Sequence, residues 1–272
     1  MFLSCTKEAM VQLPETKPLP VIYSYICPTD SVIRLKLMLS SPLFSSNQID
    51  ILAPVPDGDV KISSAQGTAQ LLFNQNTGYY ELKTNSYPII PGQVYKMTVT
   101  TINGDLATAQ TQVPFTAVPI NMVTIETITE NYQTGDRIKI FFTDEANSVN
   151  YYQIAASHCF VYTGQTDTII NDTQINEIYS DLNHDAESSS LVGKFLSQRI
   201  DSSAYYSTEY YDVYLYNCSQ SYYNFYKSLK NYSGVGMSFP PPAEPTLMYT
   251  NVNGGFGCFG SYTRSSLRYI KK

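Results

Sequence analysis

The pattern with the most obvious chemical meaning is a run of glycines near the C-terminus. Gly255, Gly257 and Gly260 have the spacing of the G-x-G-x-x-G loops that hold the pyrophosphate of a dinucleotide. That chemistry needs a following helix and an acidic residue about 20 positions later, which binds a ribose hydroxyl. Only 12 residues follow Gly260, and none is Asp or Glu. We therefore interpret the glycines as structural. Asn253-Gly254 predicts a tight hairpin, and the later glycines predict a strand that another element approaches closely.

Side chains that could act as a catalytic base are scarce. Histidine occurs at only 2 positions, which limits Ser/His/Asp and Cys/His mechanisms. His158 stands beside Cys159 and Phe160 in an apolar strand pattern, which favours a hydrogen-bonded core histidine, and His184 lies in a hydrophilic loop. The scattered Asp and Glu residues single out no carboxylate pair for sugar hydrolysis. We expect no catalytic residues and no cofactor.

One acidic loop has the alternating oxygen ligands of a calcium site. The candidates are Asp181, Asn183, Asp185 and Glu187. Ala186 replaces the glycine that such loops need, and Val192 replaces the bidentate glutamate. A solvated acidic loop is therefore favoured, with calcium as the weaker alternative.

The cysteines distant from the N-terminus are widely separated in the sequence. These are Cys27, Cys159, Cys218 and Cys258. They include no C-x-x-C pair, so a zinc or iron-sulfur site is disfavoured. In an exported protein they could form any of about 3 connectivities. We favour Cys159 with Cys218, since both lie on predicted strands of one domain. The alternative is four small buried hydrophobic side chains.

Tyrosine is the residue type with which this chain could recognise a ligand. There are 24 tyrosines and no tryptophan, and the tyrosines cluster between residues 205 and 226. Rings with a polar hydroxyl can bind sugars, peptides or another protein. The candidate ligand or partner surface consists of Tyr205, Tyr206, Tyr210, Tyr211, Tyr214 and Tyr216. The alternative is that these rings fill the core of a domain, with hydroxyls reaching water at its edge.

The N-terminus carries a candidate lipidation site. Leu3-Ser4-Cys5 resembles the end of a bacterial lipobox, in which a small residue precedes the acylated cysteine. An ordinary N-terminal cysteine is the alternative. A secretory signal needs an apolar core of about 7 to 15 residues, so we expect a signal peptide to begin upstream. Residues 1–20 would then be a lipobox remnant followed by an extended, proline-containing tether. No segment has the apolar length of a membrane span, so any membrane attachment is expected through lipid on Cys5.

The rest of the chain predicts two domains rich in antiparallel strands. Residues 32–39 alternate apolar and polar side chains, and further short strands follow with turn signals between them. We predict an immunoglobulin- or transthyretin-like β-sandwich over residues 21–115. A second β-sandwich domain is predicted over residues 116–272.

The second domain should also contain the chain's one short helix. Apolar residues three and four apart predict it near residues 221–232, before the glycine-rich closing strands. The formal net charge of -6 provides no basic surface, which argues against nucleic acid as a partner.

Both ends of the chain resemble a known family. Glu244-Pro245 is followed, from Tyr249 to Tyr262, by Tyr-Thr-Asn-Val-x-Gly-Gly-Phe-Gly-x-Phe-Gly-Ser-Tyr. At the other end, Cys5 precedes the tether, the strand patterns of residues 21–25 and 32–39, and Ser-Ser-Pro-Leu-Phe. This resembles domain-of-unknown-function family 4249 (DUF4249), an uncharacterised family of Bacteroidetes lipoproteins. The likeness is strongest at the two ends and implies a fold and a location, with no catalytic motif attached.

These observations predict a non-catalytic lipoprotein anchored in the outer membrane, with the periplasmic or surface face left open. The favoured function is an accessory or ligand-capture component of TonB-dependent nutrient uptake. The partnership with a TonB-dependent receptor comes from the resemblance alone, and the tyrosines would bind a glycan or peptide. The alternative is a structural or adhesive, fimbrial-type surface protein, which an exposed strand edge would favour. A glycan- or peptide-cleaving enzyme comes third.

Overall fold

The computed structural model describes residues 17–41, 53–130, 133–146, 148–164, 168–173, 177–182, 188–196, 206–233 and 248–271. Within these ranges the chain forms sixteen strands and one helix, so the predicted mainly β fold with sandwich layers is confirmed. Cys5 and most of the tether lie outside the described residues. So do Tyr205, Asn183, Asp185 and Glu187.

The first sandwich is built from seven strands. They are β1 (Pro20–Ile26), β2 (Val32–Leu39), β3 (Asp59–Ser64), β4 (Gly67–Asn74), β5 (Tyr79–Lys83), β6 (Val94–Thr100) and β7 (Leu106–Gln112). Strand β4 joins the two layers, because residues 67–71 pair with β3 and residues 72–74 pair with β5. Alternating side chains such as Leu35, Leu37 and Ile62 are completely buried between the layers. Burying one such side chain contributes about 1.5–3 kcal/mol to the stability of the folded protein.

The second sandwich follows in the middle of the chain. Its strands are β8 (Ile120–Glu130), β9 (Gln133–Thr143), β10 (Tyr151–Tyr162), β11 (Ile169–Thr173), β12 (Ile178–Ser180), β13 (Ser188–Leu196) and β14 (Tyr206–Cys218). One layer has the order β13-β9-β8, and β10 and β14 form the centre of the other. Ile138 and Ile140 of the first layer meet Ile154 and Val213 of the second in a separate core.

The helix α1 (Gln220–Ser233) covers the predicted residues 221–232. Ser219 begins it as an N-terminal cap, since its hydroxyl oxygen accepts a hydrogen bond from the backbone N–H of Tyr222 at 3.4 Å. Tyr222 and Phe225, three residues apart, are buried. Among the described residues, no helix has the length and apolar character needed to cross a membrane.

Strand β16 (Phe256–Ile270) connects the two sandwiches, and the short strand β15 (Val252–Asn253) before it pairs with β7 of the first sandwich. The first part of β16 runs parallel to β1, and its second part runs antiparallel to β14. Val252 and Phe259 belong to the first core, although we predicted these glycine-rich strands for the domain of residues 116–272. The prediction missed this because a 15-residue strand is long enough to serve both sandwiches.

Candidate functional site: an aromatic face on the second sandwich

The outward side of β14 and β16 carries aromatic and charged side chains. Tyr211, Val213 and Leu215 point into the core, so the residues that alternate with them point outward. On β16, Arg264 and Arg268 stand opposite Tyr216 and Asp212. We call this surface the tyrosine–arginine face; it consists of Tyr210, Asp212, Tyr214, Tyr216, Arg264 and Arg268.

The two arginines hold the rings in place. Arg268 donates two hydrogen bonds to Asp212, at 2.7 and 2.8 Å, and its guanidinium lies 4.1 Å from the ring centroid of Tyr210. These hydrogen bonds raise the pKa of Arg268, whose guanidinium is charged at any physiological pH. Arg264 lies 5.6 Å from the ring centroid of Tyr214. The result is a fixed, half-exposed row of rings and guanidinium planes that suits stacking against a flat ligand surface.

One end of this face joins an aromatic cluster under α1. Tyr216 packs on Tyr262 with centroids 4.6 Å apart, and Tyr262 in turn contacts Tyr222 of the helix. Tyr222 stacks on Tyr226 at 4.6 Å and meets Tyr25 of β1 at 5.2 Å. Burial raises the pKa of Tyr216 to about 12. The cluster therefore fixes the helix against both sandwiches, and Tyr216 belongs partly to it.

The six predicted surface tyrosines do not form one surface. Tyr210 and Tyr214 lie half-buried on the outward face. Tyr211 is only 1% exposed and packs in the second core, so its assignment to a ligand surface is wrong. Adjacent residues in a strand point to opposite sides, and therefore Tyr210 and Tyr211 could not share a face. The backbone of Tyr206 lies on β14, but its side chain, like all of Tyr205, is outside the described part of the structure.

Beneath the outward face, charged groups line one end of the sandwich interior. Lys271 lies 2.7 Å from a carboxylate oxygen of Asp136 on β9 and 3.4 Å from Glu209 on β14. Tyr211 donates a hydrogen bond to Asp136. Although burial alone would raise it, the pKa of Asp136 is lowered by the ammonium of Lys271 and the hydroxyl of Tyr211. Through Asp136, these contacts connect β9 to the opposite layer of the sandwich.

His158 belongs to the same network. Its Nε2 lies 3.0 Å from Glu209, and its ring stacks on Tyr211 with centroids 4.5 Å apart. Burial lowers the pKa of His158, against the opposing effect of Glu209, and Lys271 adds to the lowering. This geometry matches the expected hydrogen-bonded core histidine.

We expect stability to fall as the pH drops below about 6.5, the ordinary pKa of histidine. The unfolded chain takes up a proton first, because the pKa of His158 is lowered only in the folded protein. Above that pH the stabilising contribution is complete. Urea unfolding between about pH 5 and 8 measures it. The variant His158→Gln should show a flatter pH dependence, and equal pH dependence in both proteins would contradict this role.

The glycine-rich segment lies against the backbone of two neighbouring strands. Gly257 has φ +102, and a Cβ there would lie 2.0 Å from the carbonyl oxygen of Ile22. Gly254, in the turn between β15 and β16, has φ +80, with the Leu106 carbonyl oxygen 2.2 Å from a would-be Cβ. The remaining two glycines also face close neighbours: Gly255 faces the backbone of Pro20, and Gly260 faces Tyr222 of the helix. Glycine at these positions allows the neighbouring strands and the helix to pack closely against the segment. The segment continues into strand β16, which begins at Phe256, and not into a phosphate-binding helix.

A polar residue that sequence reasoning missed supports this segment. Asn251 donates to the Phe259 carbonyl at 2.8 Å and to the Gln110 carbonyl at 3.0 Å. Its side-chain oxygen accepts the Phe259 N–H at 3.0 Å. Its position just before the Asn253-Gly254 turn could have indicated that its side chain binds the backbone there.

The calcium candidate is described only at Asp181. That carboxylate accepts the backbone N–H of Asn150 at 2.9 Å and lies 3.3 Å from its side-chain amide. Burial, followed by the neighbouring Asp144, raises the pKa of Asp181. No group of three or more His, Cys, Asp or Glu residues suited to a metal ion occurs among the described residues.

The favoured disulfide between Cys159 and Cys218 is wrong. Cys159 stands opposite Tyr210, eight residues along β14 from Cys218. At about 3.3 Å per residue this separation is far beyond the distance of about 7 Å that a disulfide can span. The four described cysteines are buried thiols, as the alternative prediction has it.

Comparisons with known proteins agree with the sequence resemblance. No curated protein matches the chain. A solved segment of two fibronectin type III domains from chicken tenascin is similar at 12% identity and a TM-score of 0.22, and the match covers 74% of this chain and 91% of that chain. At this TM-score the likeness supports no argument, and the fold rests on the strand pairing itself. The family described as "Domain of unknown function (DUF4249)" matches residues 6–268. With nearly its whole length matched, the chain belongs to the DUF4249 family.

Proposed function

We propose that this protein is a non-catalytic, lipid-anchored outer-membrane protein that captures a glycan or peptide. In this proposal it acts as an accessory component of a TonB-dependent nutrient uptake system. The observation that carries the binding function is the tyrosine–arginine face. Its rings are fixed by Arg268 and Arg264 before any ligand arrives, so little side-chain freedom is lost on binding.

The lipid anchor is supported by the sequence before the first strand. Leu3-Ser4-Cys5 has the form of a lipobox end, and the resemblance to Bacteroidetes lipoproteins points to the same cysteine. The TonB-dependent partner is supported by that resemblance alone. A lipid on Cys5 would confine the protein to two dimensions and raise its effective concentration near a membrane receptor.

Replacing both Tyr210 and Tyr214 with alanine should weaken ligand binding about tenfold or more, because two stacking rings are lost. Glycan and peptide arrays would identify the ligand, and titration with that ligand would measure the loss. Tyr162→Ala is the control, since Tyr162 is an accessible tyrosine of β10 away from this face.

Thermal unfolding of the double variant should stay close to that of the unchanged protein, because both side chains point away from the core. Unchanged affinity would contradict the proposed binding face. If the double variant instead unfolds, its tyrosines serve the core.

A second candidate, a structural surface subunit, is favoured by one observation. Strand β8 is 11 residues long and pairs only with β9 within the described residues. An open edge of this length could accept a strand from another subunit. Purified protein that assembles into filaments through β8 would support this candidate over ligand capture.

A further inference from the structure

The N-terminal tether meets the folded protein at one end of the first sandwich. Lys17 lies 2.5 Å from Asp105, in the turn between β6 and β7. Two residues later, the backbone N–H of Leu19 donates to the hydroxyl of Ser40, just after β2. The tether therefore joins the first sandwich at the end where the turn between β6 and β7 lies.

This end of the sandwich lies away from the second sandwich. Strand β16 begins here, because Phe256 pairs with Val21 and Gly254 touches the backbone of Leu106. Fourteen residues later, at about 3.3 Å per residue, β16 ends at Ile270 beside Tyr210 of the second sandwich. Fully extended, the two ends of β16 are thus about 46 Å apart.

Four large apolar side chains are exposed at the end where the tether enters. They are Leu72 at 69%, Ile102 at 75%, Leu106 at 57% and Phe256 at 48% exposure. Strand register places Leu72 and Leu106 at the same end of their sheet, three strands apart, because Leu106 pairs with Thr100, Thr100 with Asp59, and Leu71 with Val60. Ile102 lies in the turn before β7, and Phe256 follows Gly254, which touches the backbone of Leu106. We call this group the apolar end.

Charges at the apolar end nearly cancel. Lys17 pairs with Asp105, and Lys61 pairs with Asp59 at 2.5 Å. Contact with a surface here would therefore depend on apolar burial, with little contribution from attraction to anionic lipid.

We propose that the apolar end docks on the lipid surface in which Cys5 is anchored. This inference rests on the lipid anchor of the proposed function. Eleven residues separate Cys5 from Lys17, so the tether spans at most about 40 Å. A lipid on Cys5 keeps the apolar end close to the bilayer, and docking turns the second sandwich and its tyrosine–arginine face outward.

The energy of docking depends on the tether. Each apolar side chain transferred fully from water contributes about 1.5–3 kcal/mol, and these four are inserted only in part. Such a contribution is too small to recruit the protein from solution, yet it orients a protein that is already tethered. Docking should accordingly persist in high salt and on uncharged lipid.

The absence of tryptophan from the chain allows a direct test with one reporter. Ile102→Trp places the reporter in the apolar end, and Ile270→Trp places a matched reporter, at a position 63% exposed, at the far end of β16. Both proteins are coupled through Cys5 to maleimide-phosphatidylethanolamine in phosphatidylcholine vesicles that contain tail-brominated lipid. The described cysteines are buried, which directs coupling to Cys5.

We expect a blue-shifted emission and strong bromine quenching for Ile102→Trp, with neither change for Ile270→Trp. Adding Leu106→Glu and Phe256→Glu should abolish the quenching, and circular dichroism checks that the variant is folded. Water-like emission at position 102, or equal quenching at both positions, would overturn the inference. Because the lipid is attached chemically, this outcome is independent of whether Cys5 is acylated in cells.

Discussion

Gly257→Ala should destabilise the protein by about 3 kcal/mol or more, enough to unfold a marginal domain. The added Cβ would lie 2.0 Å from the carbonyl oxygen of Ile22, so β16 would have to move away from β1. The backbone at φ +102 adds strain for any residue with a side chain. Urea unfolding followed by circular dichroism measures the change.

Gly104→Ala is the matched control for this prediction. Gly104 also has positive φ, at +83, but no atom lies within 4 Å of a would-be Cβ. Its replacement should cost only about 1–2 kcal/mol of conformational strain. If both variants lost equal stability, close approach of β1 and β16 would not be the reason for glycine at position 257.

Asp136→Ala should destabilise the protein by about 3 kcal/mol, at the lower end for breaking a buried ion pair. The change leaves the ammonium of Lys271 and the hydroxyl of Tyr211 without their carboxylate. Glu209, 3.4 Å from Lys271, compensates in part, and for this reason a larger loss is not expected. Chemical unfolding at neutral pH measures the difference.

The surface pair between Asp212 and Arg268 provides the comparison. Asp212→Ala removes a carboxylate from a similar hydrogen-bonded pair whose arginine is exposed to water. Such pairs contribute at most about 1 kcal/mol. A loss for Asp136→Ala no greater than that for Asp212→Ala would show that the interior network does not hold the two layers together.

Local patterns were enough to predict the elements that depend on neighbours in sequence. The helix over Gln220–Ser233 follows from apolar residues three and four apart. Asn253-Gly254 does form a turn, with Gly254 at φ +80, but the predicted hairpin is wrong, because β15 pairs with β7 while β16 pairs with β1 and β14. His158 lies in the interior, as its place between apolar residues of a strand predicts, and there it contacts Glu209.

Features that depend on distant partners could not be predicted. The parallel pairing of β16 with β1 joins residues more than 200 positions apart, and no local spacing encodes it. The Asp136–Lys271 pair likewise brings together strands that only the complete sandwich makes neighbours. Of the candidate tyrosines, Tyr211 was misplaced because a dense run of tyrosines hides the two-residue alternation that separates core from surface.

Both the proposed function and the membrane-docking inference depend on a lipid attached to Cys5. The most direct test is mass spectrometry of the N-terminal peptide, after expression in a bacterial host behind a lipoprotein signal sequence. We expect a diacylglyceryl thioether on Cys5 and recovery in the outer-membrane fraction, with Cys5→Ser recovered as soluble protein. An unmodified Cys5 in a soluble protein would rule out the lipid anchor.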